Sequence, residues 1–194
     1  MAPSLIVVGS SLGGFHALRE LLAGLPRHFT VPVVIVQHRT KEPDETLKNQ
    51  LQSECALPLS EPDDKEPLAA GHVYLAPPDY HLLVEGKALA LSTEGPIHFA
   101  RPSVDALFES AAAAYGKGVV GVVLTGSSRD GASGAARIKQ HGGLLVVQDP
   151  NSAEAREMPD GAIAAAKVDK VLPLPQIAKF LVGLSAADSS EPAT

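Results

Sequence analysis

"SLIVVGSSLGGFHALRELL", Ser4 to Leu22, is the stretch on which the reading of this chain turns. Leu5 to Val8 is a short apolar run rich in β-branched residues, the composition of a strand covered on both faces. The run breaks at Gly9-Ser10-Ser11-Leu12-Gly13, after which Ala17, Leu18, Leu21 and Leu22 fall on one helical face. Strand, glycine-flanked turn and helix form the opening unit of an α/β fold. A serine held between glycines at such a junction is a nucleophile, part of a phosphate cradle, or only a tight turn.

The same alternation continues outward. Val31 to Val36, Val119 to Leu124 and Leu144 to Val147 are further β-branched runs, and Val104, Leu107, Phe108 and Ala111 share a helical face behind Ser103, a predicted N-cap. The pattern predicts an α/β, doubly wound and mainly parallel sheet with helices on both faces. The middle, "HVYLAPPDYHLLVEGKALALST", reads as short strands with a hairpin turn at Glu85-Gly86-Lys87, expected to form a small antiparallel extension of that sheet. There is no internal repeat. One domain over residues 1–184 is expected, followed by a small polar tail, Ser185 to Thr194, expected to be disordered.

The composition excludes several classes of function. The chain has 194 residues, 45% hydrophobic and 20% charged, which describes an ordinary soluble domain. Its formal net charge is −6 and it has no Lys or Arg run to track a phosphate backbone, so nucleic acid is not an expected partner. No apolar stretch approaches the roughly 20 residues of a membrane helix, and "MAPSLIVVG" lacks the basic region of a signal peptide. A cytoplasmic protein without membrane insertion is predicted. Cys55 is the only cysteine, which removes an internal disulfide and a thiolate metal site and leaves a small, partly buried residue.

Gly9-Ser10-Ser11-Leu12-Gly13 fits G-x-S-x-G, a turn between strand and helix that exposes its serine. A dinucleotide fingerprint needs a second glycine where Ser11 stands, and a Walker A loop needs a Gly-Lys-Ser/Thr that "GGFH" does not offer. A plain turn remains open. Other strands supply partners: His38 lies two residues beyond Val36, and Asp130 lies in the loop "TGSSRDG" after Leu124. In an open α/β sheet the carboxyl ends of strands share one edge, so residues far apart in sequence converge there.

Several residues carry two readings. Asp105 is a rival carboxylate, although a helix's first turn favours an acid for structural reasons. Arg101 contacts an acidic partner or pairs with a surface carboxylate. His81 and Asp79 border a cleft or belong to a turn built on Pro77-Pro78, and a metal site from Asp79, His81 and His72 lacks any H-E-x-x-H support. No metal and no cofactor are expected. His16, His28 and His141 are read as structural.

Six separated pieces, in order along nearly the whole chain, resemble the catalytic domain of the chemotaxis protein-glutamate methylesterase, CheB: "VVGSSLGG", "PVVIVQH", "LAAGHVYLAPPDYHLLVE", "RPSVDALFESAA", "GVVLTGSSRDGASG" and "EMPDGAI". The resemblance implies that Ser11 is the nucleophile, His38 the general base and Asp130 the carboxylate that orients the histidine. It also implies an oxyanion hole from the backbone amide of Leu12, with a second donor in the "TGSS" loop, at Ser127. The expected activity is demethylation of glutamyl methyl esters on the cytoplasmic helices of chemoreceptors or similar signalling proteins, with deamidation of glutamines by the same acyl-enzyme route. A binding module without turnover and a small-molecule carboxylesterase are the alternatives.

Two departures from the family pattern stand out. Gly126-Ser127-Ser128 replaces the usual Gly-Met-Gly, which puts the packing of that loop and the fit of the methyl group in question. The chain also begins at Met1 directly ahead of the first catalytic strand, where the typical member carries a receiver domain. The expectation is a complete single-domain product whose activity is constitutive or set by a separate regulatory partner.

Overall fold

A computed structural model describes residues 3–42 and 45–186. Its elements in chain order are β1 (Leu5–Ser10), α1 (Gly14–Ala23), β2 (Val33–Gln37), α2 (Glu45–Glu54), β3 (Leu59–Ser60), β4 (Val73–Leu75), β5 (His81–Glu85), β6 (Ala88–Ser92), α3 (Val104–Tyr115), β7 (Val119–Val123), α4 (Ala132–Gln140), β8 (Leu144–Gln148), α5 (Glu157–Ala165), β9 (Lys170–Leu172) and α6 (Leu174–Ala186). Seven strands form one parallel sheet in the order β3-β4-β2-β1-β7-β8-β9. From β1 the chain places β2 beside it, β3 at the edge and β4 between them, then crosses to the other side of β1 and builds outward through β7, β8 and β9. The winding therefore reverses between β1 and β7, and the crevice beyond their carboxyl ends is where this architecture places ligands.

Each central strand alternates its side chains between two cores, because successive residues point to opposite faces. Ile6, Val8, Val33 and Ile35 pack with Leu18 and Leu22 of α1, Leu51 of α2 and Ile177 of α6. Leu5, Val7, Val34 and Val36 pack on the other face with Phe108 of α3, Ile138 of α4 and Met158 of α5. Burial on both faces is why β1, β2, β7 and β8 read as unbroken apolar runs. A Cβ on Gly121 of β7 would lie 2.5 Å from Ile138 Cδ1, so a larger residue there would have to displace the end of that side chain.

The expected antiparallel piece is present, but as its own two-stranded sheet rather than a continuation of the main one. β5 and β6 pair from His81↔Ser92 to Glu85↔Ala88 around a turn in which Gly86 has φ +59°. Leu82, Val84 and Leu89 of this hairpin are buried against the α3 side of the molecule, so burial is satisfied without sheet hydrogen bonds. β4, the first strand expected in that stretch, joins the parallel sheet beside β2. The last helix runs to Ala186, two residues beyond the expected domain boundary at 184, and the rest of the expected tail, 187–194, lies outside the described residues. Among the described residues no helix is long and apolar enough to cross a membrane.

Candidate active site

Three loops at the carboxyl edge of the sheet bring Ser11, His38 and Asp130 together. Ser11 follows the last residue of β1, and its backbone amide donates to Thr125 O at 3.0 Å, which ties the turn to the end of β7. Gly13 then adopts φ +76°, a left-handed conformation that a side chain disfavours, and α1 starts at Gly14. Gly14 itself has no room for a Cβ, which would stand 2.0 Å from Gln37 Oε1. His38 follows β2 directly, and its amide donates to Ser10 O at 3.0 Å. Gln37 Nε2 donates to both Ser11 O and His38 O at 2.9 Å, so one buried amide side chain fixes the backbone under both residues.

The side chains form a continuous polar line. His38 Nδ1 lies 3.2 Å from Ser11 Oγ, and His38 Nε2 lies 2.8 Å from Asp130 Oδ2. In the tautomer that satisfies both contacts Nε2–H donates to the carboxylate and Nδ1 accepts from the serine hydroxyl. The Ser11 side stays open to a cleft of about 500 Å³ that Leu12, Phe15, Gln37 and Glu154 help to line. Asp130, by contrast, is 1% exposed.

Asp130 sits over the start of α3. Its Oδ2 also accepts from the Val104 amide at 2.7 Å, while Oδ1 accepts from Ser103 Oγ at 2.8 Å and the Asp105 amide at 2.9 Å. Burial opposes its charge, but the hydrogen bonds from His38 and from the Asp105 and Val104 amides more than offset that, and the carboxyl is held below the usual carboxylate range. The first turn of a helix suits an anion, so the α3 N-terminus helps keep Asp130 ionised.

Asp105 returns the arrangement. Its Oδ1 accepts from the Gly131 amide at 2.9 Å and the Gly134 amide at 2.7 Å, at the start of α4. Each of the two helices is thus capped by the carboxylate from the other's N-terminal segment. Burial and the nearby Asp130 push the Asp105 carboxyl up. Asp105 Oδ2 faces His98 Nε2 at 3.4 Å, and the carboxylate hydrogen-bonded to His38 is that of Asp130. Ser103 caps α3 as expected, accepting from the Ala106 amide at 3.4 Å, and in addition donates to Asp130.

The remaining residues singled out in the sequence fall into place around this line. Arg101 donates through Nε and Nη2 to Asp79 Oδ1 at 3.0 and 2.6 Å and through Nη1 to the carbonyls of Thr93 and Glu94, which favours pairing within the chain. His81 is buried with Nε2 3.0 Å from Gly95 O, and His72 stacks on Tyr74 and contacts Ser60 Oγ at 2.8 Å. Asp79, His81 and His72 therefore have separate partners, and among the described residues no three His, Cys, Asp or Glu side chains are grouped to hold a metal. His16 and His28 are exposed, as is His141, whose Nδ1 is 2.9 Å from Arg137 O, while Cys55 is buried.

The "TGSS" loop is organised by Thr125 and Gly126. Thr125 Oγ1 donates to Leu12 O at 2.9 Å and accepts from the Ala155 amide at 2.9 Å, and Gly126 has no space for a Cβ between Met158 Sδ at 2.0 Å and Ser11 Cβ at 2.8 Å. Ser127 is exposed and takes no part in that packing, so the polar replacement leaves the loop's interior as it is. Among the described residues neither the Leu12 nor the Ser127 amide donates to another protein group. The roles of Gln37 toward Ser11, of Thr125 toward Leu12 and of Ser103 as a donor to Asp130 were not legible beforehand, because these contacts join residues 26, 113 and 27 positions apart and no local spacing signals them.

The CheB methylesterase family model matches residues 6–181. A Leptospira interrogans protein, provisionally named protein-glutamate methylesterase/protein-glutamine glutaminase, is 44% identical over 180 residues, which are 92% of this chain and 93% of that protein. A Trichodesmium erythraeum protein-glutamate methylesterase/protein-glutamine glutaminase is 37% identical over 92% of this chain, which spans 52% of that longer protein. The crystal structure of the Thermotoga maritima CheB methylesterase catalytic domain superposes with a TM-score of 0.87 at 33% identity, over 95% of this chain and all of that one. The chain belongs to the CheB methylesterase family.

Proposed function

We propose that the protein is a serine hydrolase that removes methyl groups from glutamyl γ-methyl esters of chemoreceptors or related signalling proteins, and deamidates glutamine side chains by the same route. The observation that carries this reading is the hydrogen-bonded line from Ser11 Oγ through His38 to Asp130 Oδ2, open to a cleft at its serine end. A neutral serine hydroxyl attacks an ester too slowly by itself. His38 Nδ1 takes the hydroxyl proton as Oγ bonds to the ester carbon, and Asp130 stabilises the imidazolium that forms. Collapse of the tetrahedral intermediate breaks the bond to methoxide, which leaves as methanol with the proton from His38. Water, deprotonated by the same nitrogen, then hydrolyses the acyl-enzyme and releases a glutamate carboxylate.

The tetrahedral intermediate carries its charge on the former carbonyl oxygen. The Leu12 amide, unclaimed beside the nucleophile at the start of α1, is one suitable donor, and the unclaimed Ser127 amide is the second. Each such donor contributes about 100-fold to 1000-fold in rate. For a glutamine substrate the leaving amine must be protonated, and His38 supplies that proton as well. The substrates are the cytoplasmic helices of such receptors, and the enzyme acts in the cytoplasm.

Methanol release from a methylated chemoreceptor cytoplasmic fragment tests the reading. Wild-type protein is expected to release methanol, and folded Ser11→Ala to release none above background. Equal release by both would remove Ser11 from the mechanism, and no release by either would remove the activity.

A further inference from the structure

His38, which borders the Ser11 cleft, also lines a small pocket of about 230 Å³ whose wall includes Arg39, Lys41, Phe99 and Arg101. Three of these are cations. Among the described residues the carboxylates in contact with them are Glu61, paired with Arg39 Nη2, and Asp79, shared by Arg101 Nη2 at 2.6 Å and Lys41 Nζ at 3.5 Å. Glu42 adds a third carboxylate beside Lys41, so what sets this wall apart is how its cations are bonded rather than a surplus of charge. Phe99 extends this rim into solvent: it is fully exposed, at φ +63° after His98 at φ +48°, two consecutive left-handed residues that are not glycine.

Arg39 is the decisive residue. Its side chain is 12% exposed, and its Nε and Nη1 are shielded from solvent without a hydrogen-bond partner among the described residues. A buried charged donor without an acceptor is costly and rare in folded proteins. Glu61 satisfies one arm of the guanidinium, and the other donors are left for a group that the chain does not itself supply. A planar guanidinium is matched best by a carboxylate or phosphate. The volume suits one side chain rather than a nucleotide or a second helix, and the ester beside it would be carried on a glutamate-bearing polypeptide.

We propose that this pocket is a carboxylate subsite, in which Arg39, supported by Lys41 and Arg101, receives an acidic side chain of the substrate polypeptide close to the scissile ester. The inference rests on the methylesterase reading for the identity of the substrate. It makes the enzyme selective for methylated glutamates with an unmodified acidic neighbour, and the carboxylate released by one turnover becomes a recognition element for the next.

Two synthetic helical peptides test it, each with one glutamyl methyl ester and differing only in glutamates or glutamines three and four residues to either side of it, which share its helix face. The readout is the ratio of kcat/KM, acidic over neutral, from methanol release. Wild-type protein is expected to favour the acidic peptide about tenfold or more, the size of one charge-assisted contact. Arg39→Gln should bring the ratio close to one, and Lys41→Gln, at an exposed position, should lower it about threefold. A wild-type ratio of one, or an Arg39→Gln variant that loses both peptides equally with the ratio intact, overturns the subsite. Anisotropy of both labelled peptides with Ser11→Ala gives the same comparison without turnover. Tighter binding of the acidic peptide upholds the subsite even if wild-type protein releases no methanol, an outcome that defeats the methylesterase reading alone, whereas equal affinities defeat the subsite.

Discussion

Asp130→Asn separates the proposed catalytic role of the buried carboxylate from its structural one. Each Asp130 oxygen accepts from two donors: Oδ2 from His38 Nε2 and the Val104 amide, Oδ1 from Ser103 Oγ and the Asp105 amide. Asparagine offers one oxygen and one NH2, so either orientation places a donor against donors. With the NH2 toward His38, the imidazole must accept at Nε2 and carry its proton on Nδ1, where it can no longer act as base toward Ser11. With the NH2 toward Ser103, the Asp105 amide loses its acceptor at a cost of about 1–3 kcal/mol, and no anion remains to stabilise the imidazolium. Loss of such an orienting anion lowers turnover by about 10⁴, or about 5.5 kcal/mol of transition-state stabilisation. The assay is methanol release at saturating ester substrate, with urea unfolding in parallel. Asp105→Asn is the control: Asp105 Oδ1 alone accepts from both Gly131 and Gly134, so the amide keeps that oxygen in place and turnover should fall less than about tenfold. Folded Asp130→Asn with turnover within about tenfold of wild type would refute this account.

Three further outcomes are expected. Because Asp130 titrates below its unfolded value despite its burial, its contribution to stability is complete above about pH 4 and is lost as the pH falls through the depressed folded value; urea midpoints should show this decline in wild type and a shallower one in Asp130→Asn. Gly14→Ala would place a Cβ 2.0 Å from Gln37 Oε1 and unpin the backbone of Ser11 and His38, so turnover should drop about 100-fold with about 1–3 kcal/mol of stability lost in denaturant titrations. Ser127→Ala should leave methanol release within about twofold, since the side chain is exposed and the proposed donor is the backbone amide; a loss of about 100-fold would assign the work to the hydroxyl.

The central strands were legible because parallel strands covered on both faces must be apolar at every position. β1, β2, β7 and β8 begin or end within about two residues of the Leu5, Val31, Val119 and Leu144 runs. β3 has two residues, and β9 is Lys170–Leu172 with Lys170 and Val171 exposed, so these edge strands carry no such signal and were invisible. The hairpin turn at Gly86 was readable from its residues, but whether the hairpin joins the main sheet depends on which surface buries Leu82 and Leu89, and that is a property of α3 and the opposite core.

By itself, then, the sequence determined that Ser11, His38 and Asp130 leave strands at one edge of an α/β sheet, because hydrophobic runs set the strands and glycines set the turns that follow them. Their meeting at 3.2 and 2.8 Å, the choice of Asp130 over Asp105, and the exchange of carboxylates between the starts of α3 and α4 were decided only in three dimensions. Those contacts are hydrogen bonds between groups 25 to 92 residues apart. Such bonds depend on helix docking to fractions of an ångström, and no pattern along the chain encodes them.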